Sequence, residues 1–230
     1  AVAEVNAVLQ KDPMQPAAWT ALASIYTARE AHAEAESALV KARALLPRDP
    51  EIAFQLGRVL VRREKRAQAL PHLAFASEAS ADPRAALRLL GNAQYDLRDY
   101  RAAAATRAKA VALQPDHGDT LIDLGKARYR MKDWQKAVEA FAEARRLMPG
   151  YAWAGIWLGR AYAGMGELDR AEEAFRQVVG GDPGSVQGYL GLGDVAEHRG
   201  DKAAARDHYR RVLQIDPLNE TARDRLTALR

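Results

Sequence analysis

The sequence predicts an all-α protein built from tandem pairs of antiparallel helices. Three observations predict it: residue types that recur every 34 positions, apolar residues at helical spacing within each 34-residue stretch, and a register that no insertion interrupts. Repetition at a period of about 20–50 residues is typical of proteins whose units stack on their neighbours. The repeat therefore predicts the fold class before any single helix is assigned.

Four columns of residues carry the repeat. The proline column is Pro13, Pro47, Pro115, Pro149, Pro183 and Pro217, with Ala81 in the one missing place. The alanine column is Ala1, Ala35, Ala69, Ala103, Ala137, Ala171 and Ala205. The leucine column is Leu22, Leu56, Leu90, Leu124, Leu158, Leu192 and Leu226, and the small residue after it is Ala23, Gly57, Gly91, Gly125, Gly159 and Gly193. Proline ends a helix because it lacks an N–H, and small residues let two helices approach closely.

Each repeat is predicted to hold a first and a second helix joined by a short turn, and Gly166 and Gly200 mark two such turns. The predicted repeats are 16–49, 50–83, 84–117, 118–151, 152–185 and 186–219, all within one solenoid over 1–230. A half repeat, 1–15, precedes them.

The two ends of the array differ in their predicted exposure. Residues 220–230 are predicted to form a capping helix that turns Leu226 and Leu229 inward and Glu220, Arg223, Asp224 and Arg230 outward. At the other end Val5 and Val8 lack a covering first helix, so we expect self-association through the exposed ends of the solenoid.

Composition excludes several classes of function. The chain has no cysteine, and its 34 basic and 30 acidic residues are interleaved, which gives a formal charge of +4 without a basic arm. Nucleic-acid binding is therefore not expected. No apolar stretch is long enough to span a membrane.

The absence of an initial methionine indicates an excised piece, so the compartment, cytoplasm or periplasm, stays open. Abundant arginine and alanine favour a bacterial gene.

The repeat resembles the tetratricopeptide repeat family. The first repeat matches the family pattern at Trp19, Leu22, Ala23, Tyr26, Ala35, Leu39, Ala42 and Pro47, and the resemblance extends over the whole chain. It implies a right-handed superhelical solenoid of antiparallel helix pairs whose first helices line a concave groove. It also implies a binding protein without catalytic residues, metal or cofactor, whose partner is a protein or peptide.

Carrying over the groove positions of the family, together with one marginal position at Trp157, gives the candidate site. Its residues are Phe54, Arg58, Arg88, Asn92, Tyr95, Ile122, Lys126, Tyr129, Trp153, Ile156, Trp157 and Arg160. Aromatic side chains beside arginine are the usual composition of a binding hot spot. The family's clamp for a terminal carboxylate is not expected, because Asp123, Trp153 and Trp157 replace its asparagine and two cations.

Two departures from the pattern invite interpretation. Gly155 stands where bulk is expected, so Trp153 and Trp157 either fill the space beside it or present at least one ring to a ligand. Arg107 occupies a position that is normally packed, and we expect its stem to carry the charge out to water.

Three functions remain open at this point. The first is a scaffold that holds a segment of a partner in the groove. The second is a spacer or assembly region of a larger bacterial envelope or polysaccharide-export protein, and the third is the repeat arm of a glycosyltransferase.

Overall fold

A computed structural model describes residues 1–229, and this part of the chain contains fourteen α-helices and no strand. In chain order they are α1 Val2–Lys11, α2 Pro16–Ala28, α3 His32–Leu45, α4 Pro50–Arg62, α5 Arg66–Ala79, α6 Arg84–Asp96, α7 Tyr100–Leu113, α8 Gly118–Arg130, α9 Trp134–Leu147, α10 Ala152–Met165, α11 Leu168–Gly181, α12 Val186–His198, α13 Lys202–Ile215 and α14 Glu220–Ala228. Among these residues no helix is long and apolar enough to cross a membrane.

The helices group into two compact units, Ala1–Leu113 and Gln114–Arg230, here called unit 1 and unit 2. Within each unit a first helix packs on the second helix of its own repeat, and that second helix packs on the next first helix. The all-α array of helix pairs is therefore confirmed. The repeat boundaries and a single solenoid over 1–230 stay predictions.

The alanine column lies where two helices of a repeat come closest. The exposed fraction is 0% at Ala35, Ala69, Ala103, Ala137, Ala171 and Ala205. A larger side chain at these positions would push the helices apart, because close-packed interiors have little spare volume. The column is thus a packing requirement of every repeat.

In repeats two to six, the glycine of this column faces one large side chain of the paired second helix. The pairs are Gly57 with Leu73, Gly91 with Arg107, Gly125 with Phe141, Gly159 with Phe175, and Gly193 with Tyr209. In four of the five pairs the partner atom lies 2.4–2.7 Å from the point where a Cβ would stand, and for Arg107 the distance is 3.1 Å. The absence of a Cβ therefore gives the second-helix side chain its place beneath the first helix.

Arg107 is buried, with an exposed fraction of 6%. Its guanidinium donates a hydrogen bond of 3.2 Å to Asn92 Oδ1 and lies 4.8 Å from the centre of the Tyr95 ring. The expectation that Arg107 reaches water is wrong, because the side chain passes through the space that Gly91 leaves open.

The turn from first to second helix contains one residue with left-handed backbone in each repeat. These residues are Glu30, Glu64, Arg98, Lys132, Gly166 and Gly200, with φ between 59° and 79°. The sequence predicts only the two glycines as turn markers. In the other four turns a residue with a side chain adopts this left-handed conformation, although the conformation favours glycine on steric grounds.

At the two ends the helices differ in burial. In α1, Leu9 is buried and Val8 is 42% exposed, while Val5 packs against the core of unit 1. In α14, Ala222 and Leu229 are buried and Leu226 packs against the same cluster as Tyr209. This agrees with the inward face predicted for the cap, whereas Arg230 lies outside the described residues. Self-association stays a prediction.

Candidate functional site

The structure divides the predicted groove residues between the two units, and each set is described separately. Unit 1 holds five of them on α4 and α6: Phe54, Arg58, Arg88, Asn92 and Tyr95. Unit 2 holds seven on α8 and α10: Ile122, Lys126, Tyr129, Trp153, Ile156, Trp157 and Arg160. In both units neighbouring first helices lie side by side, as α4 and α6 do in unit 1 and α8, α10 and α12 in unit 2.

An aromatic cluster around Trp157 occupies the first-helix face of unit 2. The Trp157 ring stacks on Phe141, with 5.9 Å between ring centres and 17° between planes, and it meets Tyr129 edge-on at 5.4 Å. Tyr129 also meets Trp134 edge-on at 4.9 Å. Such ring pairs add stability beyond the area they bury. Trp157 therefore ties two consecutive repeats together and is only partly accessible.

Two cations flank the Trp157 ring. The Arg160 guanidinium lies 5.0 Å from the ring centre and the Lys126 ammonium 6.0 Å. Arg160 also donates a 2.7 Å hydrogen bond to Gln187 Oε1, and Lys126 lies 3.5 Å from Asp123 Oδ1. The negative face of an indole attracts cations at these distances. The ring and its two cations form one amphipathic patch.

Trp153 is the exposed member of this surface, since 44% of it is accessible. It does not fill the space beside Gly155. Val178 Cγ2 fills it instead, 2.8 Å from the point where a Cβ on Gly155 would stand. The interpretation that the tryptophans pack into that space is therefore wrong, and Trp153 remains available on the surface.

Two predicted residues of unit 2 lie beneath the surface. Ile122 and Ile156 are each 3% exposed, and Ile156 belongs to the cluster around Phe175. A side chain that is buried to this extent contributes to the core more than to contact with another molecule. A partner would touch the residues around these two isoleucines.

A cavity of about 480 Å³ opens on the same face of unit 2. Its polar lining residues include Tyr129, Arg160, Gln187, Asp194, His198 and Arg225. Both donors and acceptors are therefore available, as the backbone of an extended peptide requires. The sequence interpretation missed Arg225, because α14 was treated only as a cap.

The α12 end of this face carries negative charge held by hydrogen bonds. The buried Tyr209 hydroxyl lies 2.8 Å from Asp194 Oδ1 and 2.7 Å from Glu197 Oε2. Arg225 Nη1 lies 3.2 Å from Glu197 Oε2. Burial, followed by the hydrogen bonds to Glu197 and Asp194, raises the pKa of Tyr209 far above its ordinary value. Tyr209 therefore stays neutral, and its single O–H donates to one of the two carboxylates at a time.

The predicted residues of unit 1 form a cationic surface. The Arg58 guanidinium lies 5.8 Å from the Phe54 ring centre and bonds Gln55, while its Nε is buried without a hydrogen-bond partner in the described chain. Arg88 is exposed and forms no ion pair with any of residues 1–229. The buried Arg107 contacts both Asn92 and Tyr95 from below.

Metal-binding side chains do not converge in the described part of the chain. Within residues 1–229 no group of three or more histidine, aspartate or glutamate residues could hold a metal ion. The predicted residues of both faces include aromatic, cationic and hydrogen-bonding side chains.

The sequence matches one family model, described as "Tetratricopeptide repeat", over residues 54–118, 89–152 and 158–220. The matched residues cover more than half of the chain. No curated protein matches it.

Three solved structures with the same fold align with this chain over most of their own length. The C-terminal part of a TPR repeat-containing protein from Cytophaga hutchinsonii is 17% identical, with 98% of this chain and 93% of that chain covered and a TM-score of 0.78. YrrB, titled a TPR protein with an unusual peptide-binding site, is 21% identical, with 81% of this chain and 96% of that chain covered and a TM-score of 0.66. MamA from Desulfovibrio magneticus RS-1 is 23% identical, with 74% of this chain and 97% of that chain covered and a TM-score of 0.68. Identities this low support the fold alone.

Proposed function

Because the chain belongs to the tetratricopeptide repeat family, whose repeats build scaffolds for protein interaction, we propose that it binds a segment of a partner protein on the first-helix face of unit 2. The role is non-catalytic. Rigid helices hold the contact side chains in place, so little ordering is needed when the partner binds.

The exposure of Trp153 carries this proposal. A tryptophan that is 44% accessible lies on the same helix as Trp157 and Arg160. Large aromatic residues and arginine dominate binding energies when a partner covers them. An apolar side chain of the partner would cover Trp153, and a neighbouring acidic side chain would pair with Arg160 or Lys126.

The cavity next to this patch supports an extended peptide as the ligand. Gln187 and Asp194 offer an amide and a carboxylate at its wall, which suit the N–H and C=O groups of a peptide backbone. YrrB, which has the same fold, is described as having a peptide-binding site. The description concerns that protein, and here it only favours a peptide over another class of ligand.

Selection of random peptides tests the proposal without knowledge of the natural partner. Phage-displayed 12-residue peptides are selected on the full chain, and synthetic versions of the enriched sequences are titrated by fluorescence anisotropy. We expect Trp153→Ala to weaken binding by about thirtyfold, or about 2 kcal/mol. The control is Leu218→Ala, which removes another exposed apolar side chain of unit 2, 78% accessible, that does not line the cavity.

Arg160→Gln should weaken binding of the same peptides less than Trp153→Ala does. The loss of affinity should also shrink at high salt, because the charge lies at the rim of the site. Peptides that bind Trp153→Ala as tightly as the parent chain would reject the site. Failure to enrich any peptide would instead favour a spacer or assembly role.

A further inference from the structure

A cleft of about 360 Å³ lies between the first helices α2 and α4 of unit 1, with α3 contributing to its floor. None of the predicted site residues lines it. Its volume is near the lower end of the range for ligand pockets, so it suits a single long side chain. It is called the α2–α4 cleft below.

The floor of the α2–α4 cleft is apolar. Ala23, Leu39 and Ile52 line it and are only 2–4% exposed. Leu46 lines it as well and is 43% exposed. A long side chain in the cleft would therefore remove its methylene groups, and part of Leu46, from water.

The hydroxyl groups of α2 can only accept hydrogen bonds from a ligand. Thr20, Ser24 and Thr27 lie on one side of the helix, because they are four and three residues apart. Thr20 donates to the Ala17 carbonyl at 2.9 Å, and Ser24 donates to the Thr20 carbonyl at 3.0 Å. Thr27 donates to the Ala23 carbonyl at 2.8 Å. Each hydroxyl thus uses its one hydrogen within α2 and keeps its free lone pairs for another donor.

The opposite wall carries two carboxylates, and no ion pair of the described unit 1 includes either of them. They belong to Asp49 and Glu51. Asp49 Oδ1 caps α4 by accepting from the Ile52 N–H at 2.9 Å, which leaves Oδ2 to a ligand. Arg43 donates to the backbone carbonyl of Asp49 at 3.2 Å and not to its carboxylate.

The charge of the lining is negative. Among the described residues, no lysine or arginine lines the α2–α4 cleft. Gln55 donates one N–H to Glu51 and accepts from Arg58, so a single amide N–H remains as a donor on this wall. The start of α4 carries partial positive charge, but Asp49 and Glu51 oppose it with two full charges. A complementary ligand therefore brings N–H donors and positive charge.

We propose that the α2–α4 cleft is a subsite for an arginine side chain of a partner segment. The methylene stem would lie on Leu39 and Ile52, and the guanidinium would donate to the hydroxyls of α2 and to the carboxylates of α4. Arginine is favoured over lysine, because acceptors stand on both walls and a guanidinium has five N–H donors in a planar fork. The proposal rests on the proposed function only in taking the ligand to be a protein segment.

Nuclear magnetic resonance of the full chain tests the subsite directly. The probe is acetyl-Gly-Ser-Arg-Ser-Gly-amide, and the control peptide has citrulline, which has the same shape without the charge, in place of arginine. We expect the amide resonances of Ser24 and Gln55 to shift and saturate with the arginine peptide only. Equal shifts with both peptides, or shifts that never saturate, would overturn the proposal. So would tighter binding of a lysine or a glutamate peptide.

Two substitutions remove the charge and keep the shape of the cleft. Asp49→Asn leaves a side chain that caps a helix as well as aspartate does, and Glu51→Gln is at an exposed position. Together they should raise the Kd for the arginine peptide at least about tenfold. Glu34→Gln, at an exposed position of α3 that does not line the cleft, should leave the Kd unchanged. An unchanged Kd in the double variant would overturn the proposal.

Ser24→Arg gives a second test that leaves both carboxylates in place. Ser24 is exposed, and arginine is a good helix former, so the fold should survive. The new side chain would occupy the cleft, and binding of the arginine peptide should be lost without a fall in melting temperature. Binding that survives Ser24→Arg would reject the subsite. None of these readouts involves Trp153, so this subsite and the surface of unit 2 can fail independently.

Discussion

The ring of Phe141 occupies the space beside Gly125, with its Cε1 atom 2.5 Å from the point where a Cβ on Gly125 would stand. Phe141 is fully buried and also stacks on Trp157, so the ring cannot move aside at low cost. The contact joins the two helices of the fourth repeat. It shows why a small residue recurs at this place in the sequence.

Gly125→Ala should therefore lower the free energy of unfolding by about 1–3 kcal/mol, because overpacking forces ring or backbone to shift. Gly180→Ala is the matched control, since nothing lies within 4 Å of its added Cβ in α11. That change should raise stability by about 0.5–1 kcal/mol through helix propensity. Urea denaturation followed by circular dichroism measures both, and equal effects of the two substitutions would contradict the packing argument.

The left-handed turn residues predict a second pair of opposite effects. Lys132 has φ of 60° and an exposed side chain, so Lys132→Gly should relieve strain and raise the melting temperature, by about 0.5–1 kcal/mol in stability. Gly166→Ala, at φ of 79°, should lower stability by about 1 kcal/mol. Differential scanning calorimetry on both variants is the test. A lower melting temperature for Lys132→Gly would show that the side chain contributes more than the strain costs.

Sequence reasoning succeeded where the repeat imposes one requirement on every unit. The buried alanine column and the glycine gaps follow because the two helices of a repeat must approach each other closely, and each repeat shows this requirement. Sequence reasoning failed where the packing depends on a residue far along the chain. Val178, not a tryptophan, fills the space at Gly155, and nothing in the residues next to Gly155 indicates this.

Two further features were missed for identifiable reasons. Arg107 was expected at the surface because arginine usually is, but its side chain is buried in the space beside Gly91. The turns at Glu30 and Lys132 escaped notice because a residue other than glycine holds the left-handed conformation there. For the candidate site, the family pattern placed the residues on first helices but could not tell exposed Trp153 from buried Ile156.

An ion pair between consecutive repeats of unit 1 predicts a pH dependence. Glu36 lies 2.6 Å from Arg63 and 2.8 Å from Lys65, and its side chain is 18% exposed. Burial alone raises the pKa of Glu36, but the hydrogen bonds from Lys65 and Arg63 outweigh it and lower the pKa below 4.5. Because the folded pKa is depressed, the stabilisation is present above about pH 4.5 and disappears as the pH falls through the folded value.

Glu36→Gln should therefore destabilise the chain by about 1 kcal/mol at pH 7, a modest value because Arg63 and Lys65 are each about one-third exposed. The difference from the parent chain should shrink below pH 4.5. Glu78→Gln is the control, because Glu78 is exposed and forms no ion pair in the described chain. Melting curves from pH 3 to pH 8 test this, and a difference that persists in strong acid would contradict it.

The packing of α14 predicts that the cap is sensitive to charge on one face only. Ala222 is 0% exposed in the cluster that contains Tyr209 and Val212, whereas Ala228 on the same helix is exposed. Ala222→Glu should cost about 2 kcal/mol or more, because a carboxylate would be buried without a partner. Ala228→Glu should change little. Similar losses of stability from the two substitutions would show that α14 does not dock through this face.

The two tryptophans of α10 should separate stability from binding. Trp157 is partly buried, stacks on Phe141 and meets Tyr129 edge-on, so Trp157→Ala should lower the free energy of unfolding by about 2–4 kcal/mol. Trp153 is 44% exposed, so Trp153→Ala should cost less than about 1 kcal/mol. Thermal melts of both variants decide the assignment. If Trp153→Ala destabilised the chain as strongly as Trp157→Ala, Trp153 would be a packing residue, and any loss of peptide binding in that variant would follow from unfolding. If the melts separate as expected, a weaker affinity of Trp153→Ala for peptides reports on the binding surface itself, because the helix pair beneath it is unchanged.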